Sequence, residues 1–315
     1  MVMDTTPIFY TTISSKELRP DMPPVPFLLS AASFLRQNSQ GQCSLRAPRY
    51  LPASVLRGAD CGGFTAVMRW GGEYRFTLDQ YLLWLFRWHP QWAAAFDLPC
   101  LSETGGYPGP KVVEERQRWT TAKAWEIWEG YWDTPWAWTP TIQGYTLSEF
   151  EQHARDLTDL IRQMQAYYSD PGRSDDDEEE GCLNAFRVGV GSLCRRSPEF
   201  ILEVITRIHA IIGADIPLHL WGVKLGQLKS GIALPGVISC DSGAWNGLYG
   251  KEHEKRRKSG LTVVEYSWQV KHPEYMCKVA RAQHRSQQLG LAFVDAFGAG
   301  PFPDPIQLVE HFAQL

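Results

Sequence analysis

The chain has no apolar run approaching the roughly 18 residues that would span a bilayer. Met1 to Tyr10 carries Asp4 and lacks the cationic, apolar pattern of a secretory signal, so the cytoplasm is the expected location and no membrane partner is expected. No Cys-x-x-Cys pair occurs. The seven cysteines (Cys43, Cys61, Cys100, Cys182, Cys194, Cys240, Cys277) are scattered and odd in number, which fits reduced thiols better than a disulfide framework. No repeat of 20 to 50 residues is visible, which argues against a solenoid. Nor is there an excess of positive charge: a net charge of -4 argues against a protein that coats nucleic acid, although a local basic patch can still bind phosphates.

What is present is ordinary in bulk. Hydrophobic residues make up 44% and charged residues 21% of 315, enough to bury a sizeable core as a soluble globular protein. The length suits one large domain, two small ones, or a parallel barrel of about 250 residues with extensions. The 13 Trp stand out beside 14 Phe and 12 Tyr. Aromatic rings serve cores and also make flat surfaces on which bases stack, and a Trp-rich core accounts for most of them.

Short apolar runs ending in polar or Gly residues recur at Ile8 to Thr12, Pro26 to Ser30, Val55 to Asp60, Ala93 to Asp97, Trp136 to Gln143, Ala185 to Gly191, Leu218 to Lys224 and Val237 to Asp241. Between most of them lie helical stretches: Leu78 to Phe86, Val112 to Tyr131, Leu147 to Tyr168, Pro198 to Ile212 and a short one near Gly226. Eight strands alternating with helices predict an α/β protein with parallel pairing and right-handed crossovers, for which a closed (β/α)8 TIM-type barrel is the economical solution. The whole chain, 1–315, reads as a single domain with insertions. Ser169 to Gly181, dense in Asp and Glu, reads as a solvated acidic loop, and about 262–315 as a helical C-terminal extension.

Catalytic residues of parallel barrels sit where the strands end, because the loops there converge on one mouth. Those ends supply Asp60, Asp97, Gln143, the turn Gly191-Ser-Leu193, Trp221-Gly222 and Asp241. A single Asp there is often only the N-cap of the next helix. Three sharing one mouth are costlier, because like charges raise one another's pKa. A carboxylate pair can serve as nucleophile and acid/base at a sugar anomeric carbon, and an amide beside a carboxylate offers donors and acceptors to a nucleobase edge.

From about Val55 to Gly250 the chain resembles the tRNA-guanine transglycosylase superfamily, and within it the DNA 7-deazaguanine transglycosylases. The family's Asp-Ser-Gly-Gly-Tyr/Phe-Gln is similar to Asp60-Cys-Gly-Gly-Phe-Thr65, and its Phe-Asp-x-Cys to Phe96-Asp-Leu-Pro-Cys100 with one residue inserted. Its Gln-Gly matches Gln143-Gly144, its Gly-Gly-Leu corresponds to Gly191-Ser-Leu193, its Met-Gly-Val-Gly to Trp221-Gly-Val-Lys224, and its nucleophile motif Phe-Asp-Cys to Cys240-Asp-Ser242. The resemblance implies that Asp241 attacks the sugar C1′ and holds a covalent glycosyl intermediate, while Asp60 protonates the departing base and deprotonates the incoming one. It implies that Asp97 accepts hydrogen bonds from the N1–H and exocyclic amine of a guanine-like base, that Gln143 and backbone N–H groups near Ser192 and Leu193 donate to its carbonyl, and that Phe64 and Trp221 sandwich the ring. A target base would have to leave its stack to reach such a pocket.

Cys61 stands where the family has Ser, Thr65 where it has Gln, and Ser192 where it has Gly, which bears on the size of the accepted base substituent. The family's Cys-x-Cys-x-x-Cys…His zinc site is absent in that form. Its nearest counterpart, His272, Glu274 and Cys277 with His284 and His311 downstream, reads as ordinary surface residues on a helix, with a degenerate zinc site around His272 and Cys277 as the alternative, so no metal or cofactor is expected. Lys251, Lys255, Arg256, Arg257 and Lys258 follow the last strand and read either as a solvated face or as phosphate contacts. The expected partners are a nucleic acid (DNA as first choice, or tRNA) and a 7-deazaguanine-type base. A homodimer or accessory proteins are compatible with that reading. Two other functions stay open: hydrolysis of a deazaguanine nucleoside or nucleotide in the same pocket, and a catalytically silent relative that binds a modified base or a partner protein.

Overall fold

The computed structural model describes residues 7–13, 18, 25–51, 56–170, 186–223, 235–242, 251–262, 267 and 271–279. Most of the acidic loop, the segment near Gly226, His284 and His311 lie outside the described residues, as does the side chain of Lys251.

All eight expected strands form, and each pairs in parallel with its neighbours. In chain order they are β1 (Ile8–Ile13), β2 (Phe27–Ser30), β5 (Arg57–Asp60), β6 (Trp92–Ala94), β7 (Ala137–Thr139) with β8 (Thr141–Ile142), β9 (Val188–Val190), β10 (Leu218–Leu220) and β11 (Val237–Ser242). The order is β7-β6-β5-β2-β1-β11-β10-β9-β8. Its two ends, β7 and β8, are one stave divided by Pro140, which has no N–H to give to a ladder. On either side of the break, Thr139 O accepts from Ala95 N (2.9 Å) and Pro140 O from Gly189 N (2.8 Å). The sheet therefore closes into a TIM-type barrel of eight staves.

Helices follow where the sequence caps and patterns them. After β5 come α1 (Gly63–Trp70) and α2 (Leu78–Phe86), the latter opened by a Thr77/Gln80 capping box. After β6 comes α3 (Pro110–Tyr131), with Pro at its start, and after β8 comes α4 (Leu147–Tyr168), opened by a Thr146/Glu149 capping box. α5 (Pro198–Ile212) is capped by Ser197. The buried residues of α4, including Phe150, Ala154, Leu157, Ile161 and Met164, recur every three or four positions and make one apolar stripe against the barrel. Truncating Leu157, which is fully buried there, to Ala would cost ~2 to 5 kcal/mol. The basic segment forms α6 (Lys251–Ser259), and residues 272–279 are helical.

Among the described residues, the connection from β2 to β5 holds no α-helix but a 3-10 turn, Ala31–Phe34, and an antiparallel hairpin of β3 (Leu35–Gln37) and β4 (Cys43–Leu45), none of it read from the sequence. Inside the barrel, glycines make room for tryptophans: a Cβ on Gly58 would collide with the Trp92 indole, and one on Gly189 with that of Trp221. Trp84, Trp88, Trp92, Trp136 and Trp138 are among the largest fully buried side chains, so the core absorbs much of the aromatic excess. No helix among the described residues is long and apolar enough to cross a membrane.

Candidate active site at the barrel mouth

Because side chains alternate along a strand, the residues that end the parallel staves point into one mouth. Asp60 ends β5, where Ser30 of β2 lies opposite it in register and hydrogen-bonds its carboxyl. Its Oδ1 also accepts from the Gly62 N–H at 3.0 Å. Burial raises its pKa to about 6, the two hydrogen bonds pull it down, and the charge of Asp241 pushes it up. A carboxyl that titrates near neutrality can give and take a proton under working conditions.

Asp241 lies on β11 and is 7% exposed. Its Oδ2 accepts from Thr12 Oγ1 of β1 at 2.7 Å and its Oδ1 from the Gly222 N–H at 2.8 Å. His219 of β10 lies beneath, with Nε2 3.6 Å from Oδ1. The His219 ring is wholly buried, and that burial holds its pKa below the usual value. Its Nδ1 is 2.9 Å from Ser239 Oγ, which accepts from Arg187 Nη1 at 3.0 Å. Arg187 is itself buried, with its guanidinium 4.7 Å from the centre of the Trp92 ring.

Across the mouth, a chain of hydrogen bonds ends on Asp97. The Cys100 N–H donates to Ser192 Oγ (2.8 Å), and the Ser192 hydroxyl donates to Gln143 Oε1 (2.6 Å). Gln143 Nε2 then donates to Asp97 Oδ2, while the Cys61 thiol donates to Oδ1 (3.0 Å). An ionised Asp97 carboxyl only accepts, so the Gln143 carboxamide turns its NH2 to Asp97 and its Oε1 to the Ser192 hydroxyl. The Gln143 backbone is clamped as well: its N–H meets His153 Nδ1 (2.8 Å) from α4, and its carbonyl accepts from Gln117 Nε2 (2.7 Å) of α3. Burial raises the Asp97 pKa to about 7, with the Cys61 hydrogen bond opposing and the Asp60 charge adding to the rise. The Cys61 thiol is pushed well above its ordinary range, first by burial and then by Asp97 and Asp60, so it acts as a hydrogen-bond donor and not as a thiolate nucleophile.

The glycines here are explained by packing. A Cβ on Gly191 would occupy the space of the Gln143 carboxamide, one on Gly63 that of the Asp97 carboxyl, and one on Gly144 would lie 2.8 Å from Phe150 N at the start of α4. The Gly191 N–H is spent on Ile142 O (2.9 Å). Ser192 has φ +57 and is buried, and Leu193 is wholly buried. Phe64 stands half exposed on the first turn of α1. The Trp221 ring lies 4.3 Å from His219 and 5.7 Å from Trp92, and its Nε1 has no hydrogen-bond partner among the described residues.

Asp60, Asp97, Gln143, Ser192 and Asp241 are thus brought together, while the α6 cations lie beyond 243–250, outside the described residues. Lys255, Arg257 and Lys258 are exposed, whereas Arg256 is half-buried and donates to Leu261 O (3.2 Å). Sequence reasoning passed over Thr12, Ser30, Tyr74 and His219. The Tyr74 hydroxyl donates to Asp97 O (2.8 Å) and its ring stacks on Phe96 at 4.4 Å. Position two residues before a strand-end Asp was an available signal for His219's neighbour Ser239 and, by the same alternation, for the inward face of β10.

Of the counterparts to the family's zinc motif, His272, Glu274 and Cys277 lie among the described residues. His272 is buried, not on the surface, because its Nε2 meets Thr11 Oγ1 (3.1 Å) behind β1, and burial lowers its pKa to about 4. Cys277 is a free thiol, and among the described residues no group of three or more His, Cys, Asp or Glu could hold a metal ion. No protein-family model matches the chain, and no curated protein matches it.

Proposed function

We propose that the protein is a base-exchanging pentosyltransferase of the tRNA-guanine transglycosylase type, which replaces a guanine in DNA or tRNA by a 7-deazaguanine derivative. The observation that carries this reading is the polarity of the hydrogen-bond chain ending on Asp97. Among the described residues, both side chains that hydrogen-bond the carboxyl, Cys61 and Gln143, are donors, so its remaining lone pairs ask for further N–H groups. The Watson–Crick edge of a guanine offers two adjacent donors, N1–H and the exocyclic amine, which one carboxylate can accept together. A base edge with acceptors at both positions would leave Asp97 unpaired, at a cost of about 1 to 3 kcal/mol.

With the base held there, Asp241 attacks C1′ of the ribose or deoxyribose. The C1′–N9 bond breaks, and Asp60 gives its proton to the departing base as the Asp241–C1′ ester forms. Asp60, now ionised, takes the N9 proton of the incoming 7-deazaguanine, whose nitrogen attacks C1′ and releases Asp241. Two displacements keep the β linkage. The Thr12 hydroxyl and Gly222 N–H fix the carboxylate that attacks. His219 packs beneath it and acts as a positioning residue.

Incubation of the protein with guanine-labelled single-stranded DNA, guanine-labelled tRNA and labelled guanosine, with and without an added 7-deazaguanine, tests the reading. Loss of label from a polymer that depends on the added base is the expected result. Loss from the free nucleoside without added base would mean hydrolysis, and retention in all three would overturn the proposal.

A further inference from the structure

Between Asp21 and Asp60 the sequence has four arginines (Arg36, Arg46, Arg49, Arg57) and no carboxylate, in a chain whose net charge is -4. Three of the four meet on the β3–β4 hairpin. A cavity of about 250 Å3 there is lined by Leu18, Phe34, Arg36, Arg46, Arg49 and Tyr50. That is smaller than the roughly 300 Å3 at which pockets for drug-sized molecules begin, and it suits a phosphate with part of its sugar better than a whole nucleoside. Arg46, Arg49 and Tyr50 are exposed, and no carboxylate among the described residues pairs with either Arg46 or Arg49. Guanidinium forks match phosphate oxygens bidentately, and a half-exposed tyrosine beside them offers a face to a base.

The hairpin is held rigidly. Asn38 Oδ1 accepts from Gln40 N (3.0 Å) and Gln42 N (2.9 Å) and closes its turn. From α2, Gln80 Nε2 donates to Cys43 O (3.0 Å) and Trp84 Nε1 to Arg46 O (3.0 Å), and the Trp84 ring packs on Phe34 at 5.4 Å. Arg36 is tied down by its own bond to Leu35 O (2.8 Å). Such anchoring spends ordering entropy before any ligand arrives.

The hairpin also stands at the mouth. It grows from the end of β2, where Ser30 touches Asp60, and a Cβ on Gly62 would lie 2.7 Å from Ala32 Cβ, so its root packs on the turn that follows Asp60. β2 and β11 flank β1, with Asp60 on the stave beyond β2 and Asp241 on β11 itself. A strand whose nucleotide enters the mouth must carry a neighbouring phosphate over this rim.

We propose that the β3–β4 hairpin is a phosphodiester-binding site for the polynucleotide substrate, with Arg46 and Arg49 holding a backbone phosphate next to the reacting nucleotide and Tyr50 stacking on an adjacent base. This inference rests on the polymer reading of the mouth. Its test is the salt dependence of binding of fluorescent single-stranded DNA and of tRNA to the wild-type protein and to Arg46→Glu/Arg49→Glu, with dGMP and a free 7-deazaguanine as parallel probes. Losing two phosphate contacts to a single strand should make the slope of log affinity against log salt shallower by about 1.4. Affinity for the free base should be unchanged, which also reports that the variant is folded. Tyr50→Ala should weaken polymer binding without altering the slope. An unaltered slope in a protein that binds the polymer overturns the hairpin site and leaves the mouth reading standing. If the wild-type protein binds neither polymer, both fall together. Equal weakening of dGMP and of polymer overturns the polymer role in favour of a free nucleotide phosphate.

Discussion

Asp97 and Asp241 are buried to the same degree, 8% and 7% exposed, and both face the mouth of one barrel, yet their surroundings differ in kind. Asp97 lies three residues past β6, between a thiol and a side-chain amide, and it shares the field of Asp60. Asp241 lies within β11, between a hydroxyl and a backbone N–H, over a buried imidazole. With exposure equal, the hydrogen-bonding neighbours are what tell the two carboxyls apart. The Asp97 side is a relay of neutral donors aimed at one acceptor, which suits reading an edge that donates. The Asp241 side fixes a carboxylate from below and beside, which suits attack on an atom presented from above.

The largest effect that would test this contrast concerns stability. Unfolded, Asp97 titrates near 3.8. Folded, it titrates near 7, so the native state holds its proton more tightly. The stability from that proton is complete below pH 3.8 and is lost as pH rises towards 7, at a total of ~4 kcal/mol. Asp60, raised to about 6, acts in the same direction over a narrower window. Denaturant unfolding at pH 4 and pH 8 should therefore show Asp97→Asn losing ~4 kcal/mol less than wild type between the two. Parallel pH curves for the two proteins would remove the burial argument for Asp97.

A smaller effect separates the two sides functionally. Asp97→Ala should weaken binding of a free 7-deazaguanine by about 1 to 3 kcal/mol in calorimetry. Asp241→Ala should leave it nearly unchanged, because in the proposed reaction that carboxylate meets the sugar and not the base. If both substitutions weaken the base alike, the division fails. Gly191→Ala sharpens the point at a distance: its methyl would displace the Gln143 carboxamide, so base affinity should fall although Asp97 is intact. An unaltered affinity would mean that the relay does not position Asp97.

Much of the barrel was legible in the sequence, because apolar runs of four to eight residues bounded by Gly and polar residues are what doubly buried parallel strands require. α2, α4 and α5 announce themselves with Thr77, Thr146 and Ser197 caps. The misses have local causes. α1 begins at Gly62-Gly63 with no side-chain cap, so it reads as a turn, and β3 and β4 are three residues each, too short for periodicity. Within the site, strand-end Asp60, Asp97 and Asp241 stood out as charges at the close of apolar runs. His219, Thr12 and Tyr74 did not, since their importance lies in pairings that only the folded barrel creates.

The central claim, that Asp241 is the attacking group of this mouth, is met most directly by incubating the protein with guanine-containing single-stranded DNA or tRNA in the absence of an acceptor base, quenching in acid, and mapping the covalent adduct by peptide mass spectrometry. The account predicts one adduct, on Asp241, linking protein to polymer through the sugar, and none in Asp241→Asn. An adduct on another residue, or one formed by Asp241→Asn at the wild-type rate, would contradict it.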